Sequence, residues 1–84
     1  MRIYLQTPPN PESPPRYYHL FLQEDLINGW TLVKEYGQQG APGRVIKTHF
    51  DDRAEAEAAM LKARDSQVKR GYRVVFVKGV QHPG

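Results

Sequence analysis

The 84-residue chain contains no cysteine. Disulfide bridges, thiolate nucleophiles and cysteine-ligated zinc are therefore excluded, which removes the secreted disulfide scaffolds and the structural zinc fingers. Histidine is scarce too, and His19, His49 and His82 lie far apart in sequence, without the spacing of metal ligands. We therefore expect neither a metal site nor a cofactor.

Long hydrophobic runs are missing as well. No apolar segment approaches the roughly 20 residues that a transmembrane helix needs, and no signal-peptide pattern opens the chain. A chain of this length has room for one hydrophobic core. We therefore expect one domain over residues 1–84, monomeric, intracellular and cytoplasmic, with no membrane partner.

The charge balance is mildly basic. Twelve Lys and Arg residues stand against nine Asp and Glu, giving a net charge of +3. This excess favours a polyanionic partner only weakly, because a strong nucleic-acid footprint is larger and clustered. An ordinary solvated surface explains the same balance.

Five segments have the composition of β-strands. They alternate apolar and polar residues or are rich in aromatic and branched side chains, and turn residues separate them. Asn28-Gly29 predicts a hairpin turn, and the glycine-marked stretch 37–43 predicts a longer one. The predicted strands are residues 1–6, 16–22, 30–36, 44–50 and 72–77.

Five prolines occupy residues 8–15. Proline lacks the backbone N–H and fixes φ, so this stretch is predicted to be an extended loop. A proline-rich docking segment is the alternative, but the basic flank usual for such ligands is missing. Residues 79–84 are expected to form a flexible tail.

One helix is predicted after Asp51. Residues 53–70 contain neither Gly nor Pro and are rich in alanine, a strong helix former. Asp52 with Glu55 fits a capping box, and Gly71 fits the left-handed position that ends a helix.

Two stripes of this helix compete for burial. The second is more apolar but contains Asp65, which would need a partner if buried, whereas the first carries no charge. We therefore expect the first stripe to face the sheet. The first comprises Ala56, Ala59, Met60, Ala63 and Gln67, and the second Ala54, Ala58, Leu61, Asp65 and Val68.

This order of elements predicts an α+β fold. An antiparallel sheet, a meander of about four strands plus a C-terminal strand, carries one helix packed on one face. A single helix cannot cover both faces, so the other face is expected to be polar and available to a partner.

Catalytic patterns are weak, and we expect no enzyme. Ser66 has no triad context, and Asp51-Asp52 fits helix capping better than a carboxylate pair. The glycine turn lacks the Lys-Ser/Thr and the helix of a phosphate-binding loop. His49, at the end of a strand, is expected to be a structural or surface histidine.

Basic residues interleaved with aromatics favour binding instead. Such residues neutralise phosphates and stack on sugars or bases, and they flank the glycine turn here. Trp30, nearby, is interpreted as core, whereas Tyr36 fits a core or a binding role equally. A second basic group, Lys69, Arg70 and Arg73, is interpreted as compensation of the helix dipole.

Residues 29–44, GWTLVKEYGQQGAPGR, resemble the signature of WGR domains. That signature is an apolar strand, then Trp-Gly-Arg, one residue, Gly, and a second strand. Phe50-Asp51, Glu55-Ala56 and Gly71-Tyr72 resemble the strand end, helix start and helix exit of the family. The resemblance runs from about Tyr17 to Tyr72 and implies an antiparallel sheet with a helix packed on it.

The resemblance also implies a function. WGR domains accompany the catalytic domain of some poly(ADP-ribose) polymerases and occur as small stand-alone bacterial proteins. In the polymerases the motif Trp lies against the terminal nucleotide at a DNA break, and the motif Arg contacts DNA or neighbouring domains. This chain has Tyr36 in place of the Trp and Gln38 in place of the Arg; glutamine supplies neither the charge nor the fork of a guanidinium.

We therefore expect a non-enzymatic WGR-like module that binds nucleic acid, DNA ends or nicks in particular, through the strand-turn-strand around residues 36–40. The competing hypothesis is a protein-interaction module with no nucleic-acid role. The predicted nucleic-acid-binding residues share one strand face and its turn: Lys34, Tyr36, Gly37, Gln38, Gly40, Arg44 and Lys47.

Overall fold

A computed structural model describes residues 1–26 and 28–79. Five strands form one sheet in the order β4-β3-β2-β1-β5, in which every neighbouring pair is antiparallel. The α+β prediction is confirmed, and the fifth strand returns to lie beside the first. The elements are β1 Arg2–Gln6, β2 Arg16–Asp25, β3 Gly29–Gln38, β4 Arg44–Phe50, α1 Arg53–Lys69 and β5 Arg73–Lys78.

The predicted strands are confirmed, and β2 and β3 are longer than expected. Asp25 extends the hairpin because its Oδ1 accepts a hydrogen bond from the Gly29 N–H at 3.0 Å. Asn28, with φ of 61°, takes the left-handed turn conformation. Asparagine tolerates this conformation because its short polar side chain bonds locally.

The proline-rich connection between β1 and β2 contains a tight turn. The Ser13 N–H donates to the Asn10 carbonyl at 3.2 Å, and the Glu12 N–H donates to Asn10 Oδ1 at 2.9 Å. Thr7 closes the hairpin at its base, where its Oγ1 accepts from the Arg16 N–H at 2.8 Å. The predicted tail at 79–84 lies outside the described residues from residue 80 onward.

The helix covers the middle of one sheet face and buries the stripe expected from the sequence. Ala56, Met60 and Gln67 are buried, and Ala59 and Ala63 pack beside them. Trp30 is half-buried against this core, as predicted, with the Arg53 guanidinium 5.0 Å from its ring centre. The strands contribute the core residues Ile3, Leu5, Leu20, Leu22 and Leu32.

Both helix ends follow the sequence signals. The Asp52 carboxylate accepts hydrogen bonds from the N–H groups of Ala54 and Glu55, which satisfies donors that the helix leaves unpaired. At the other end Gly71, with φ of 102°, donates to the Val68 carbonyl, and Tyr72 donates to the Gln67 carbonyl. These two bonds form a Schellman motif, in which glycine accommodates the left-handed residue.

We call the sheet face away from the helix the outer face. It was expected to be polar, and this expectation is wrong in part, because aromatic side chains from three neighbouring strands lie on it. Their position follows from the register, in which Tyr4 is opposite both His19 and Phe76. The aromatic side chains of the outer face are Tyr4, Tyr17, His19, Phe21 and Phe76.

His49 joins the ends of two strands. Its Nδ1 lies 2.7 Å from Asp25 Oδ2, and its Nε2 lies 3.1 Å from Asp51 Oδ1. These hydrogen bonds, to Asp25 first and Asp51 second, raise the pKa of His49 above its ordinary 6.5. The sequence predicted a structural or surface histidine, and the His49 side chain is 47% exposed while bonded to both carboxylates.

We expect His49→Gln to lower the melting temperature more in acid than in alkali. Because the folded state raises the histidine pKa, its stabilisation is complete below the unfolded pKa of 6.5 and is lost as pH rises through the folded pKa. Thermal melts at about pH 5.5 and about pH 8.5 test this, on either side of the histidine pKa. A deficit that grows with pH would contradict the prediction.

His19→Gln is the matched control for that measurement. Burial, and then the nearby Arg2 guanidinium, lower the pKa of His19. The neutral form of His19 is therefore favoured in the folded state, and the stability that this histidine contributes is lost as pH falls. The two histidine variants should show opposite pH trends.

Candidate nucleic-acid interface

A cavity of about 410 Å³ opens on the helix side of the sheet, where the β1–β2 hairpin and the C-terminal end of α1 meet the end of β3. Three tyrosines and two arginines dominate its lining. An anionic ligand with a flat ring matches such a surface, since arginine pairs with phosphate and tyrosine stacks. The lining residues are Thr7, Arg16, Tyr18, Tyr36, Gln67, Arg70 and Tyr72.

The tyrosines form one cluster. Tyr18 and Tyr36 stack with ring centres 5.1 Å apart and planes within 8°, and Tyr72 meets Tyr18 edge-on at 5.9 Å. Burial, followed by the neighbouring Tyr36 and Tyr72, raises the pKa of Tyr18, so its hydroxyl stays protonated at neutral pH. The cluster therefore presents aromatic surface beside hydroxyl groups to the cavity.

A second cavity, of about 510 Å³, continues from the first along the proline-rich connection. Thr7, Arg16 and Arg70 line both cavities, so the two arginines stand where the cavities meet. Gln38 lines the second cavity. Together the two cavities place both arginines beside the tyrosine cluster.

Local structure explains why Arg16 and Arg70 lie there. Arg16 is the first residue of β2 and is paired with Gln38 across the sheet, so both side chains lie on the helix side. Arg70 is the C-cap of α1, held by its N–H bond to the Gln67 carbonyl at 3.0 Å. A cation at this position also complements the helix dipole.

The structure brings together some of the predicted binding residues. Lys34, Tyr36 and Gln38 alternate along the helix side of β3, and Arg44 is opposite Tyr36 on β4. Lys47 is opposite Val33, whose side chain lies on the outer face. The prediction that Lys34, Arg44 and Lys47 share one strand face is therefore wrong, because Arg44 and Lys47 are three apart on β4 and point to opposite faces. The β3–β4 register places Lys47 on the outer face.

The glycines of the turn give it room and shape. Gly40 has φ of 83°, which favours glycine. A side chain at Gly43 would meet the Tyr17 hydroxyl and, at 2.9 Å, the Tyr36 carbonyl oxygen. Gly37 lies against the backbone of Gly43. A Cβ added at Gly37 would be 3.1 Å from the Cα of Gly43. The close approach of the two turn strands beside Tyr36 therefore depends on Gly37 and Gly43.

Sequence reasoning missed Arg16 and assigned Arg70 to dipole compensation alone. The feature of the sequence that pointed to Arg16 was its position directly after the proline-rich segment, where β2 begins. For Arg70 it was Gly71, because a left-handed residue turns the chain at the helix end. Neither signal identifies the cavity, since that requires the register of β2 with β3.

The described residues contain no group of three or more histidine, aspartate or glutamate side chains arranged to hold a metal ion. Within residues 1–26 and 28–79, no helix is long and apolar enough to span a bilayer.

The chain was compared with known proteins. Residues 1–77 match the model of the WGR domain family, which covers most of the 84-residue chain. No curated protein and no solved structure matches it significantly. WGR domains are nucleic-acid-binding modules. The family match includes the helix and four strands and reaches the last but one residue of β5, and the chain therefore belongs to the WGR domain family.

Proposed function

We propose that this protein binds DNA, at ends or nicks, through the tyrosine-lined cavity beside the 36–40 turn. The observation that carries the proposal is the pairing of Arg16 with Gln38. Gln38 occupies the motif position where WGR domains usually have arginine. Residues opposite each other in antiparallel strands have Cβ atoms about 5 Å apart, so Arg16 supplies a guanidinium next to that position.

The ligand contacts follow from the lining of the cavity. Tyr36, stacked on Tyr18, offers a ring to the sugar or base of the terminal nucleotide, in the position of the motif Trp. Arg16 and Arg70 bind the adjacent phosphates, for which the guanidinium fork is well matched. Arg44, opposite Tyr36, adds a further cation on the same face.

We expect Arg16→Gln and Arg70→Gln to weaken DNA binding and to flatten its salt dependence. Removing one phosphate-binding cation should reduce the slope of log affinity against log salt by about one. The measurement is a fluorescence-anisotropy titration with a duplex bearing a 5′-phosphorylated end or nick, and with a closed, end-free duplex, at several salt concentrations.

Lys62→Gln is the matched control, because it removes the same charge from an exposed helix position that lines neither cavity. The proposal predicts that Lys62→Gln retains the wild-type slope. If Arg16→Gln and Arg70→Gln have the same salt slope as Lys62→Gln and the wild type, the two arginines do not contact phosphate. Equal affinity for the ended and the closed duplex would reduce the interaction to unspecific charge attraction.

A protein-interaction role is the second candidate, and β5 favours it. This edge strand exposes four consecutive large hydrophobic residues, each 42–55% exposed. Exposed apolar edge strands pair readily with other chains. Binding through them would respond little to salt, so the same titration separates the two functions. The four residues are Val74, Val75, Phe76 and Val77.

A further inference from the structure

Three rings cross the outer face in a line, and we call them the aromatic row: Phe76, Tyr4 and Tyr17. The centres of Phe76 and Tyr4 are 5.8 Å apart with planes within 6°, and those of Tyr4 and Tyr17 are 6.2 Å apart with planes within 2°. The three ring planes are therefore nearly parallel across β5, β1 and β2. It is on the opposite side of the sheet from the tyrosine-lined cavity.

The core does not require the aromatic row. The core cluster is built from the helix-facing side chains, such as Ile3 and Leu5 on β1, whereas Tyr4 between them points away. Phe76 is 44% exposed, so much of its ring contacts solvent. Exposed aromatic surface that lies in a row on an uncovered face is typical of a binding site.

The row is held in place from the motif turn. The Gln39 Nε2 group donates a hydrogen bond to the Tyr4 hydroxyl at 2.7 Å. The absence of a side chain at Gly43 leaves space for the Tyr17 hydroxyl. Two residues of the 37–43 turn, Gln39 and Gly43, thus contact or make room for two of the three rings.

Cations surround the row. Arg2 lies with its guanidinium carbon 4.7 Å from the centre of the Phe21 ring and donates to His19 Nε2 at 3.2 Å. Lys78 is opposite Arg2, and Arg73 is opposite Gln6, on the same outer face. The three cations Arg2, Arg73 and Lys78 outnumber the acids of this face, which are Glu35, 3.8 Å from His19, and Asp25, bonded to His49. Positive charge therefore predominates around the rings.

We propose that the outer face is a second nucleic-acid surface, which binds a single strand with its bases stacked on the aromatic row and its phosphates toward Arg2, Arg73 and Lys78. This inference goes beyond the proposed function, because it concerns the opposite side of the sheet. Unpaired bases are required, since the bases of a duplex are already stacked and cannot lie on a row of rings. Cations around aromatic rings complement a polyanion that carries flat bases.

The test uses a fluorescently labelled oligothymidylate of about ten nucleotides, within the site sizes of open-sheet binders. Phe76→Leu keeps an apolar side chain but removes the ring, and we expect it to weaken binding at least about fivefold. Phe76→Trp should retain or improve the affinity. Thermal melts establish whether both variants are folded. If Phe76→Leu does not fold, the affinity of Phe76→Trp still tests the inference.

Two control variants locate the effect. Val45→Ala alters another exposed apolar residue of the outer face, outside the row, and should bind as wild type. Tyr36→Ala alters the cavity and should weaken oligothymidylate binding much less than Phe76→Leu does. An equal loss in Tyr36→Ala and Phe76→Leu would overturn the inference, because one site at the cavity would then bind both ligands.

The ligand class is tested by competition. Inorganic polyphosphate carries charge without bases, and it should displace oligothymidylate much less effectively than unlabelled oligothymidylate does. Equal displacement by polyphosphate and by unlabelled oligothymidylate would overturn the inference. The absence of oligothymidylate binding to the wild type at low salt would also overturn it, and the exposed rings would then be assigned to a protein partner. The duplex titration with the Arg16 and Arg70 variants is separate, so either surface can fail while the other stands.

Discussion

Leu20→Ala is expected to lower the free energy of unfolding by about 2–5 kcal/mol. Leu20 is fully buried on the central strand β2, opposite Ile3, which is also fully buried. Truncation loses the transfer free energy of the removed methyl groups and leaves a cavity under the helix. For a domain of this length the total stability is about 4–13 kcal/mol, so such a loss removes a large part of it.

Urea denaturation followed by far-ultraviolet circular dichroism measures this loss. Val45→Ala is the control, because Val45 is 54% exposed and its truncation should change stability by no more than about 0.5 kcal/mol. Similar losses for the two variants would mean that the helix does not seal a core over Leu20.

Tyr36→Ala is expected to cost roughly 1–3 kcal/mol of affinity for an ended duplex, the range for a ring that stacks on a nucleotide. It also removes the stack on Tyr18, so a modest loss of thermal stability should accompany it. Tyr36→Phe keeps the ring and should retain most of the affinity. Tyr36→Trp restores the residue usual in the family and should bind at least as tightly as the wild type.

The decisive comparison is between affinity and melting temperature. If folded Tyr36→Ala binds the ended duplex as the wild type does, the ring belongs to the core only, and the cavity is not the DNA site. If Tyr36→Phe loses as much affinity as Tyr36→Ala, the hydroxyl group rather than stacking makes the contact.

Local features were predictable from the sequence because their signals are local. Asp52 and Gly71 mark the helix ends through bonds to backbone groups within a few residues. The buried helix stripe was also correct, since Asp65 on the competing stripe has its carboxylate at the surface, 2.9 Å from Arg64 Nη2. Avoiding the burial of an unpaired charge was sufficient to choose between the stripes.

Features that depend on register were not predictable. Side chains alternate along a strand, so Arg44 and Lys47, three apart on β4, take opposite faces in any register. The register of β4 against β3 decides which of the two lies on the helix side. The pairing of Arg16 with Gln38 depends in the same way on the length of the turn between β2 and β3. The outer face was expected to be polar because a single helix covers only one face of the sheet. The continuous apolar run of β5 does not reveal on which side of the sheet each of its residues lies.

The position of β5 beside β1 has a consequence for the entropy of folding. Ile3 pairs with Val77, whereas the pairs within the meander join residues that short turns already bring together. The entropy of closing a loop grows with its length, so the β1–β5 pairing is the most costly to form from a disordered chain. The β1–β5 pairing is favoured only once the folded meander and helix have brought these two strands close together. The edge strand that carries Phe76 thus depends on the rest of the fold, and the aromatic row is assembled only when the sheet is complete.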